Sequence, residues 1–532
     1  MFSIVHELTL LQEREGWLSE AALRELARRL NVPLHRLESV TTFYPHFRRK
    51  PAARTEVAVC RDLACALAEG GASAARLRGV LAGRDDVEVC EVSCLGRCDG
   101  APAAAIGPRV LRLDRTDEIL EAIDHPQTRA DERAPRDWGL AEIYSSAQDR
   151  YGTLRSALKR ERSASIGALE DAGLRGMGGA GFPTGRKWAL VAGEAALPKY
   201  VICNADESEP GSFKDREILR DLPHLVLEGM ALAGHCVGAE RGFVFIRHEY
   251  APERRALEVA LAEARARGAL GAGIFGSDFD FDIDIFVSPG GYILGEESAL
   301  LECMEGRRGE PRNKPPFPGT VGLFGQPTLI NNVETFAHAT GILGRGVEWW
   351  RSLGKRGFAG HKFISVSGHV AEPGVALVPF GTTLGELLER CGGMRGGRPL
   401  AAIAPGGASS NFLPPDCLDV PIDFKTLADA GSMLGSGAAV FIAEGHDLIE
   451  VGCNVTRFFR NESCGKCVPC RVGSEKAVKL LESGAGVGEE TRALLQELNA
   501  TMLRTSICGL GQVALGPLLS ILANFPERVR RD

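Results

Sequence analysis

The chain has 532 residues, 44% apolar and 25% charged, an ordinary globular composition that excludes a disordered protein. Its 62 basic and 69 acidic residues give a net charge of −7, and with no long basic run there is no electrostatic case for nucleic-acid binding. At ~150 residues per domain the length predicts roughly three to four domains.

Every mainly apolar stretch meets a charge, Gly or His well before ~20 residues, so no transmembrane helix is expected. Met1–Glu7 lacks the basic and apolar regions of a signal peptide. A cytoplasmic chain is expected, one that can still dock on a membrane complex. In that compartment stable disulfides are rare, and fifteen cysteines, an odd number, cannot all pair within one chain. Eight fall into two tight groups. The other seven (Cys90, Cys203, Cys236, Cys303, Cys391, Cys417, Cys453) read mostly as buried thiols acting as small apolar residues.

Residues 1–48 read as short amphipathic helices. Ala21–Leu30 places Leu23, Leu26, Ala27 and Leu30 on one face, and Asn31-Val-Pro33 ends it. Glu56–Cys60 and Val87–Cys90 read as strands around a helix at 73–82, with a hairpin from Ala104–Gly107 and Val110–Leu113. Residues 125–138, polar with two prolines, are the best linker in the chain. Residues 140–340 form an α/β region with strands Tyr200–Cys203, Gly242–Ile246 and Phe281–Phe286. Residues 362–424 read as a small β-rich module, and 447–525 turn helical again.

The first cysteine group is Cys60-x4-Cys65 and Cys94-x3-Cys98, two pairs at strand ends in one small domain. Four thiolates arriving from two loops suit a two-iron cluster. Zinc is the runner-up, and spacing alone leaves Cys90 open as an alternative to its neighbours. Gly176-Met-Gly-Gly-Ala-Gly181 satisfies G-x-G-x-x-G, but a helix, not a strand, precedes it, which counts against a Rossmann turn. Its glycines still let backbone N–H groups approach a phosphate, and Lys187 adds positive charge. Asn204-Ala-Asp206-Glu207-Ser-Glu209 follows a short strand, where open α/β sheets bind ligands. Gly290–Ser298 adds a glycine–acid loop, Lys314–Pro318 a rigid loop with a cation and a ring, and Asn331-Asn332-Val-Glu-Thr335 two amides. The second group, Cys464-x2-Cys467-x2-Cys470 with a distant Cys508, wraps one face of a cube and closes it, the logic of a [4Fe–4S] site.

Thr41-Thr-Phe-Tyr44, the C-x4-C and Cys94-Leu-Gly-Arg-Cys98-Asp-Gly-Ala-Pro102 resemble the 24-kDa-type subunit of respiratory complex I. That resemblance implies a helical head on a thioredoxin-like domain holding [2Fe–2S] on Cys60, Cys65, Cys94 and Cys98, with Cys90 left out. The motifs from residue 150 to 525 resemble the 51-kDa flavin subunit of complex I and the diaphorase subunits of NAD-linked hydrogenases and formate dehydrogenases. By motif, this implies that Gly176, Gly178, Lys187, Asn204, Asp206, Asn331, Asn332 and Thr335 hold FMN. It also implies that Phe182, Glu207, Glu209, Glu297, Lys314 and Phe317 line the NADH site. Cys464, Cys467, Cys470 and Cys508 match the family's [4Fe–4S] motif. No protein acid or base is assigned, since flavin hydride transfer needs none. Met177 replaces the usual Arg and Leu294 the usual Cys. Leu190 replaces an aromatic residue that stacks on adenine, which implies a lower dinucleotide affinity.

The expected architecture is a multidomain α/β chain. A helical head and thioredoxin-like [2Fe–2S] domain (1–124) lead through a linker (125–139) to an α/β FMN/NADH domain (140–345). A β-grasp-like domain (346–440) and a helical [4Fe–4S] bundle (441–532) complete it. The fusion of both modules, with Phe358–Gly374 between the flavin and cluster segments, looks most like the β subunit of NAD-dependent molybdenum or tungsten formate dehydrogenase. This implies a large Mo/W iron–sulfur catalytic partner. The alternatives are the diaphorase of an NAD-reducing hydrogenase, a fused complex I pair and, outside the enzymes, a zinc-binding scaffold.

Overall fold

The computed structural model describes residues 3–51, 53–69, 72–125, 133–139, 143–483 and 487–529. Three helices open the chain: Ile4–Glu15, Glu20–Leu30 and Leu34–Thr41. In the second, Ser19 caps the first turn by accepting the Ala22 N–H, and Leu23, Leu26 and Ala27 face inward. Asn31 ends it at φ 52, a left-handed conformation that Asn tolerates. The head does not share the core of the sheet that follows it. Its apolar face joins Leu300, Cys303 and Met304 of the flavin region and the C-terminal helices. Tyr44 Oη fastens it by donating to the Arg307 carbonyl at 2.7 Å.

The first sheet contains β1 (Thr55–Cys60), β2 (Val87–Val92), β3 (Ala103–Ile106) and β4 (Arg109–Arg112) in the order β2-β1-β3-β4. β1 and β2 are parallel, while β3 and β4 form the expected antiparallel hairpin. Val57, Val59, Leu77, Ile106 and Ile119 form a separate small core.

The central sheet is wholly parallel: β5 (Tyr200–Ala205), β6 (Arg241–Arg247), β7 (Asp282–Ser288) and β8 (Thr328–Asn332), ordered β7-β6-β5-β8. β8 is a fourth strand that its amide-rich end conceals in the sequence. The chain runs outward from β5 to β7 and returns to β8 on the other side of β5. That reversal opens a crevice beyond the C-terminal ends of β5 and β8, the place where open α/β sheets bind ligands. Asn204–Asp206 and Asn331–Asn332 border it.

Half of the expected linker is anchored. Trp138 is buried, donates its indole N–H to Asp221 at 2.8 Å and packs edge-on against Phe363. Arg133 pairs with Glu217 and Asp221. Residues 126–132 lie outside the described residues. The third sheet, ordered β10-β9-β12-β11, combines β9 (His361–Gly368), β10 (Gly374–Pro379), β11 (Leu400–Ala404) and β12 (Ala438–Ala443). β12 runs parallel to β9 and extends past residue 440. Helices Leu448–Asn461, Val468–Glu482, Glu489–Thr505, Gly509–Val513, Gly516–Asn524 and Pro526–Val529 follow. No helix among the described residues is long and apolar enough to cross a membrane.

Candidate functional site

The fold brings the first cysteine group together. Cys60 ends β1, Cys65 lies in the short helix Ala64–Glu69, and Cys94 and Cys98 sit in the loop after β2. All four are buried. Cys94 and Cys98 Sγ are 3.5 Å apart, and Cys60 lies against both Cys65 and Cys94. Four buried sulfurs from two loops form a donor set that fits a two-iron cluster. Cys90 instead sits within β2 opposite Ala58, and its sulfur groups with the Glu56 and Glu88 carboxylates.

This cysteine loop docks on the central domain. Arg247 donates to the Cys94 carbonyl at 2.6 Å and Arg216 to the Gly96 carbonyl at 2.7 Å. Gly96 adopts φ 67 against the Tyr250 ring, where an added Cβ would lie 2.4 Å from the phenol oxygen. Asn454, from the C-terminal bundle, accepts the Leu63 N–H at 2.8 Å and donates to the Arg61 carbonyl at 2.9 Å.

The glycine-rich loop leaves helix Arg162–Asp171 and passes over the C-terminal end of β8. Met177 N–H donates to Thr335 Oγ1 at 2.9 Å, and a Cβ at Gly178 would meet Asn332 Cβ at 2.9 Å. Thr335 and Asn331 are themselves buried and engaged, the latter accepting Trp188 Nε1–H at 2.9 Å. They hold the cradle, while the glycine backbone forms its floor. Asn204 donates to the Gly295 carbonyl at 2.9 Å. Asp206 is buried with its Oδ1 lacking a partner, and burial pushes its carboxyl up to about 7. An orphaned buried carboxylate oxygen just past the end of β5 fits a ligand rich in hydroxyl and ring N–H groups, as FMN is.

Beneath this cradle lies a buried ion cluster with no local sequence signature. Lys214 reaches Asp215 at 2.6 Å and Glu334 at 3.0 Å, and Lys362 reaches Glu334 at 2.7 Å. Asn332 ties it to the loop through Asp215 at 2.6 Å. Burial pulls the Lys362 ammonium down to about 8 despite Glu334.

The residues expected to meet NADH separate into two sets. Phe182, Phe317 and Leu190 are exposed at 40%, 59% and 57%, apolar side chains open to a flat ring. Lys314 pairs with Glu296 at 2.7 Å and Glu297 at 2.9 Å, and Lys187 stands 3.7 Å from Glu297. Burial opposes the Lys314 charge, yet the two glutamates hold its pKa above the usual lysine value. Glu209 accepts from Tyr292 Oη and from Ser409 N–H, both at 2.6 Å. Glu207 is different. It is buried, and its carboxylate accepts from Ser212 Oγ, Asp215 N–H, Arg216 N–H and Tyr250 Oη at 2.8–3.2 Å. The structure shows this side chain turned into the protein rather than outward, because it secures the start of helix Lys214–Asp221.

The second cysteine group assembles at two helix starts. Cys467 precedes helix Val468–Glu482, whose first turn holds Cys470, and Cys508 precedes Gly509–Val513. Gly511 is required there: a Cβ would meet Ser506 Oγ at 2.5 Å and Cys470 Cβ at 2.9 Å. The buried, unpartnered Ser506 Oγ lies in the same corner, and the positive ends of helix dipoles suit an anionic thiolate–iron cluster. Two residues to which the sequence assigns no role, Tyr292 and Glu462, join the three regions. Tyr292 N–H donates to Glu462 at 2.8 Å, the Tyr292 ring stacks edge-on with Phe458 at 5.0 Å, and Glu462 also accepts from Ser93.

Comparison with known proteins finds four family matches along the chain. Residues 2–125 match the thioredoxin-like [2Fe-2S] ferredoxin family and 169–340 the Nuo51 FMN-binding domain. Residues 363–409 match the SLBB domain, and 450–532 the NADH-ubiquinone oxidoreductase-F iron-sulfur binding region. The F component of the NADH-quinone oxidoreductase of Mycobacterium tuberculosis H37Rv is 43% identical over 401 residues, covering 74% of this chain and 90% of that protein. The chain belongs to the NADH-quinone oxidoreductase F family. Another relative, NADP-reducing hydrogenase subunit HndC of Solidesulfovibrio fructosivorans, is 41% identical over 70% of this chain and 77% of its own. A chain in the crystal structure of an NAD+-reducing [NiFe]-hydrogenase in the H2-reduced state superposes with a TM-score of 0.88. It is 31% identical and covers 99% of this chain and 92% of that one, so the fused layout recurs there. This NADH-quinone oxidoreductase F-type chain is accordingly a flavin- and iron–sulfur-dependent oxidoreductase subunit with FMN, one [2Fe–2S] and one [4Fe–4S] centre. The zinc-scaffold alternative falls with these matches.

Proposed function

We propose that the chain is the diaphorase subunit of an NAD-linked complex, exchanging hydride with NAD(H) and single electrons with a partner catalytic subunit. What supports the proposal is the C-terminal end of β5 and β8, where Asn204 pairs with Asn332, the buried Asp206 oxygen follows two residues on, and the glycine loop packs on Asn332 and Thr335. Bound there, FMN supplies the conversion between paired and single electrons that nicotinamide and iron–sulfur centres each lack.

The chain's own residues supply binding and placement. In this reading Gly176, Gly178, Asn204 and Asp206 meet FMN directly, while Thr335, Asn331 and Asn332 fix the loop that carries them. Lys187 stands at the phosphate end. Phe182 and Phe317 sandwich a planar ring by contact area, and Lys314 and Glu297 orient polar groups of the nucleotide. Glu209, fixed by Tyr292 and Ser409, presents a carboxylate of set orientation. Cys60, Cys65, Cys94 and Cys98 ligate [2Fe–2S]; Cys464, Cys467, Cys470 and Cys508 ligate [4Fe–4S]. Anaerobic reconstitution tests the assignment: alanine at Asp206 lowers FMN content, and alanine at Lys314 raises the NADH KM with FMN content retained. FMN loss in both variants, or in neither, contradicts it.

For the partner, we propose a large molybdenum or tungsten subunit that oxidises formate or reduces CO2, on the resemblance of the fused chain and its Phe358–Gly374 segment. A second reading, a nickel-containing hydrogenase partner, is favoured by the match over 99% of the chain. Metal analysis of the co-purifying large subunit decides: molybdenum or tungsten supports the first, nickel the second.

A further inference from the structure

Away from the flavin crevice, a cavity of about 520 Å³ opens where the [2Fe–2S] domain, the 133–139 stretch, helix Lys214–Asp221 and the rim of the third sheet meet. Its lining holds seven arginines and no lysine, against two carboxylates, Asp99 and Glu217. Both carboxylates are already engaged by the buried Arg216, at 2.8 and 2.9 Å, and Arg133 shares Glu217 and pairs with Asp221 at 3.0 Å. The remaining guanidiniums converge from different parts of the chain. Arg97 has its carboxylate contact, Glu253, only at 3.5 Å. Arg136 lies over the Trp138 ring at 4.3 Å. Arg112 pairs with Asp114 at 2.6 Å on the outer edge.

Seven guanidiniums against two carboxylates leave the lining of this concave surface positive, a field that draws in anions. The volume falls in the range of small-molecule sites, ~300–1,000 Å³. Guanidinium forks, rather than ammonium points, favour the planar, bidentate geometry of phosphate and carboxylate oxygens. Pro108, Val110, Pro373 and Val375 add apolar surface beside them, where a ring can rest. A compact cavity with mixed walls and several converging forks suits a small multivalent anion better than an extended acidic peptide, which needs a groove.

We propose that this cavity binds a phosphate-bearing small molecule of nucleotide size, a di- or triphosphate, at a site separate from the flavin and NADH crevice. Its phosphates bridge Arg97, Arg112 and Arg136, and so tie the [2Fe–2S] domain to the flavin domain. Because the cavity walls come from separate units, occupancy stabilises their packed arrangement.

The test uses the full chain loaded with its cofactors, with pyrophosphate, ATP and inorganic phosphate as probes in calorimetric titration. Saturable binding of pyrophosphate or ATP at one site per chain is expected, unchanged by saturating NADH and by Lys314→Ala. Arg136→Glu and Arg112→Glu, checked for unchanged visible spectra and thermal midpoint, each weaken it at least tenfold. Tighter binding of ATP than of pyrophosphate identifies a nucleotide; equal binding identifies a free polyphosphate. Either result supports the proposal. No saturable binding to the wild-type chain, binding displaced by NADH, binding insensitive to both charge reversals, or binding of a polyglutamate peptide with none of the phosphates overturns it.

Discussion

Glu207 and Glu209 stand two residues apart in the same acidic loop, and the structure gives them opposite jobs. The Glu207 carboxylate accepts two backbone N–H groups, of Asp215 and Arg216, and two hydroxyls, of Ser212 and Tyr250. In Glu207→Ala both buried N–H groups lose their acceptor. At about 1–3 kcal/mol for each unsatisfied buried donor, the cost is about 2–6 kcal/mol, before any loss from freeing Tyr250. The expected result in urea unfolding of the cofactor-loaded chain is a fall in stability of that size. Where the variant remains folded, the NADH KM stays within about twofold of wild type, a change under ~0.5 kcal/mol. Glu209→Ala loses one backbone donor and one phenol partner, so stability falls less while the NADH KM rises. Unchanged stability in Glu207→Ala together with a raised KM would refute this reasoning and return Glu207 to the nucleotide site.

Further outcomes follow from the same geometry. Cys94→Ser removes the iron of one [2Fe–2S] centre, whereas Cys90→Ser leaves iron content and the EPR spectrum unchanged; equal losses would show that Cys90 is a ligand. Leu190→Phe places a ring at an exposed position of helix Thr184–Ala192. At the low end of base–aromatic stacking, about 1 kcal/mol, it lowers the NADH KM about fivefold, and an unchanged KM argues that adenine lies elsewhere. Burial raises Glu228 from 4.5 to about 7, so the folded chain binds its proton more tightly than the unfolded chain. Its contribution is therefore full below pH 4.5 and is lost as pH rises through 7. Glu228→Gln flattens that part of the stability–pH curve, and an unaltered slope contradicts the assignment.

Much of the local structure is legible in the sequence because it rests on short-range periodicity. The spacing of Leu23, Leu26 and Ala27 gives the second helix its buried face, and the alternation in Glu56–Cys60 and the 104–113 hairpin gives the first sheet. The helix before Gly176 is also readable, so the glycine loop is correctly separated from a Rossmann turn. What local pattern cannot supply is pairing across long separations. β8 ends in two asparagines whose polarity masks a buried strand, and only its register with β5 makes it one. Lys214, Glu334 and Lys362 form a cluster from three distant segments. Glu462 joins Ser93 to Tyr292 for the same reason. Glu207 shows the opposite failure. Its motif position implies a nucleotide contact, but the fold turns its carboxylate toward the helix start and Tyr250. The polar 125–138 stretch likewise reads as linker, although Arg133 and Trp138 hold its second half on Asp221.

At the centre of the proposed function, one polypeptide exchanges paired electrons with a nucleotide and single electrons through metal–sulfur centres. The most direct test is anaerobic addition of NADH to the reconstituted full chain, followed by visible absorbance and low-temperature EPR on the same sample. Bleaching of the flavin and iron–sulfur absorbance is expected, together with the appearance of a reduced-cluster EPR signal. A fully loaded chain that dithionite bleaches but NADH leaves coloured and EPR-silent would contradict it.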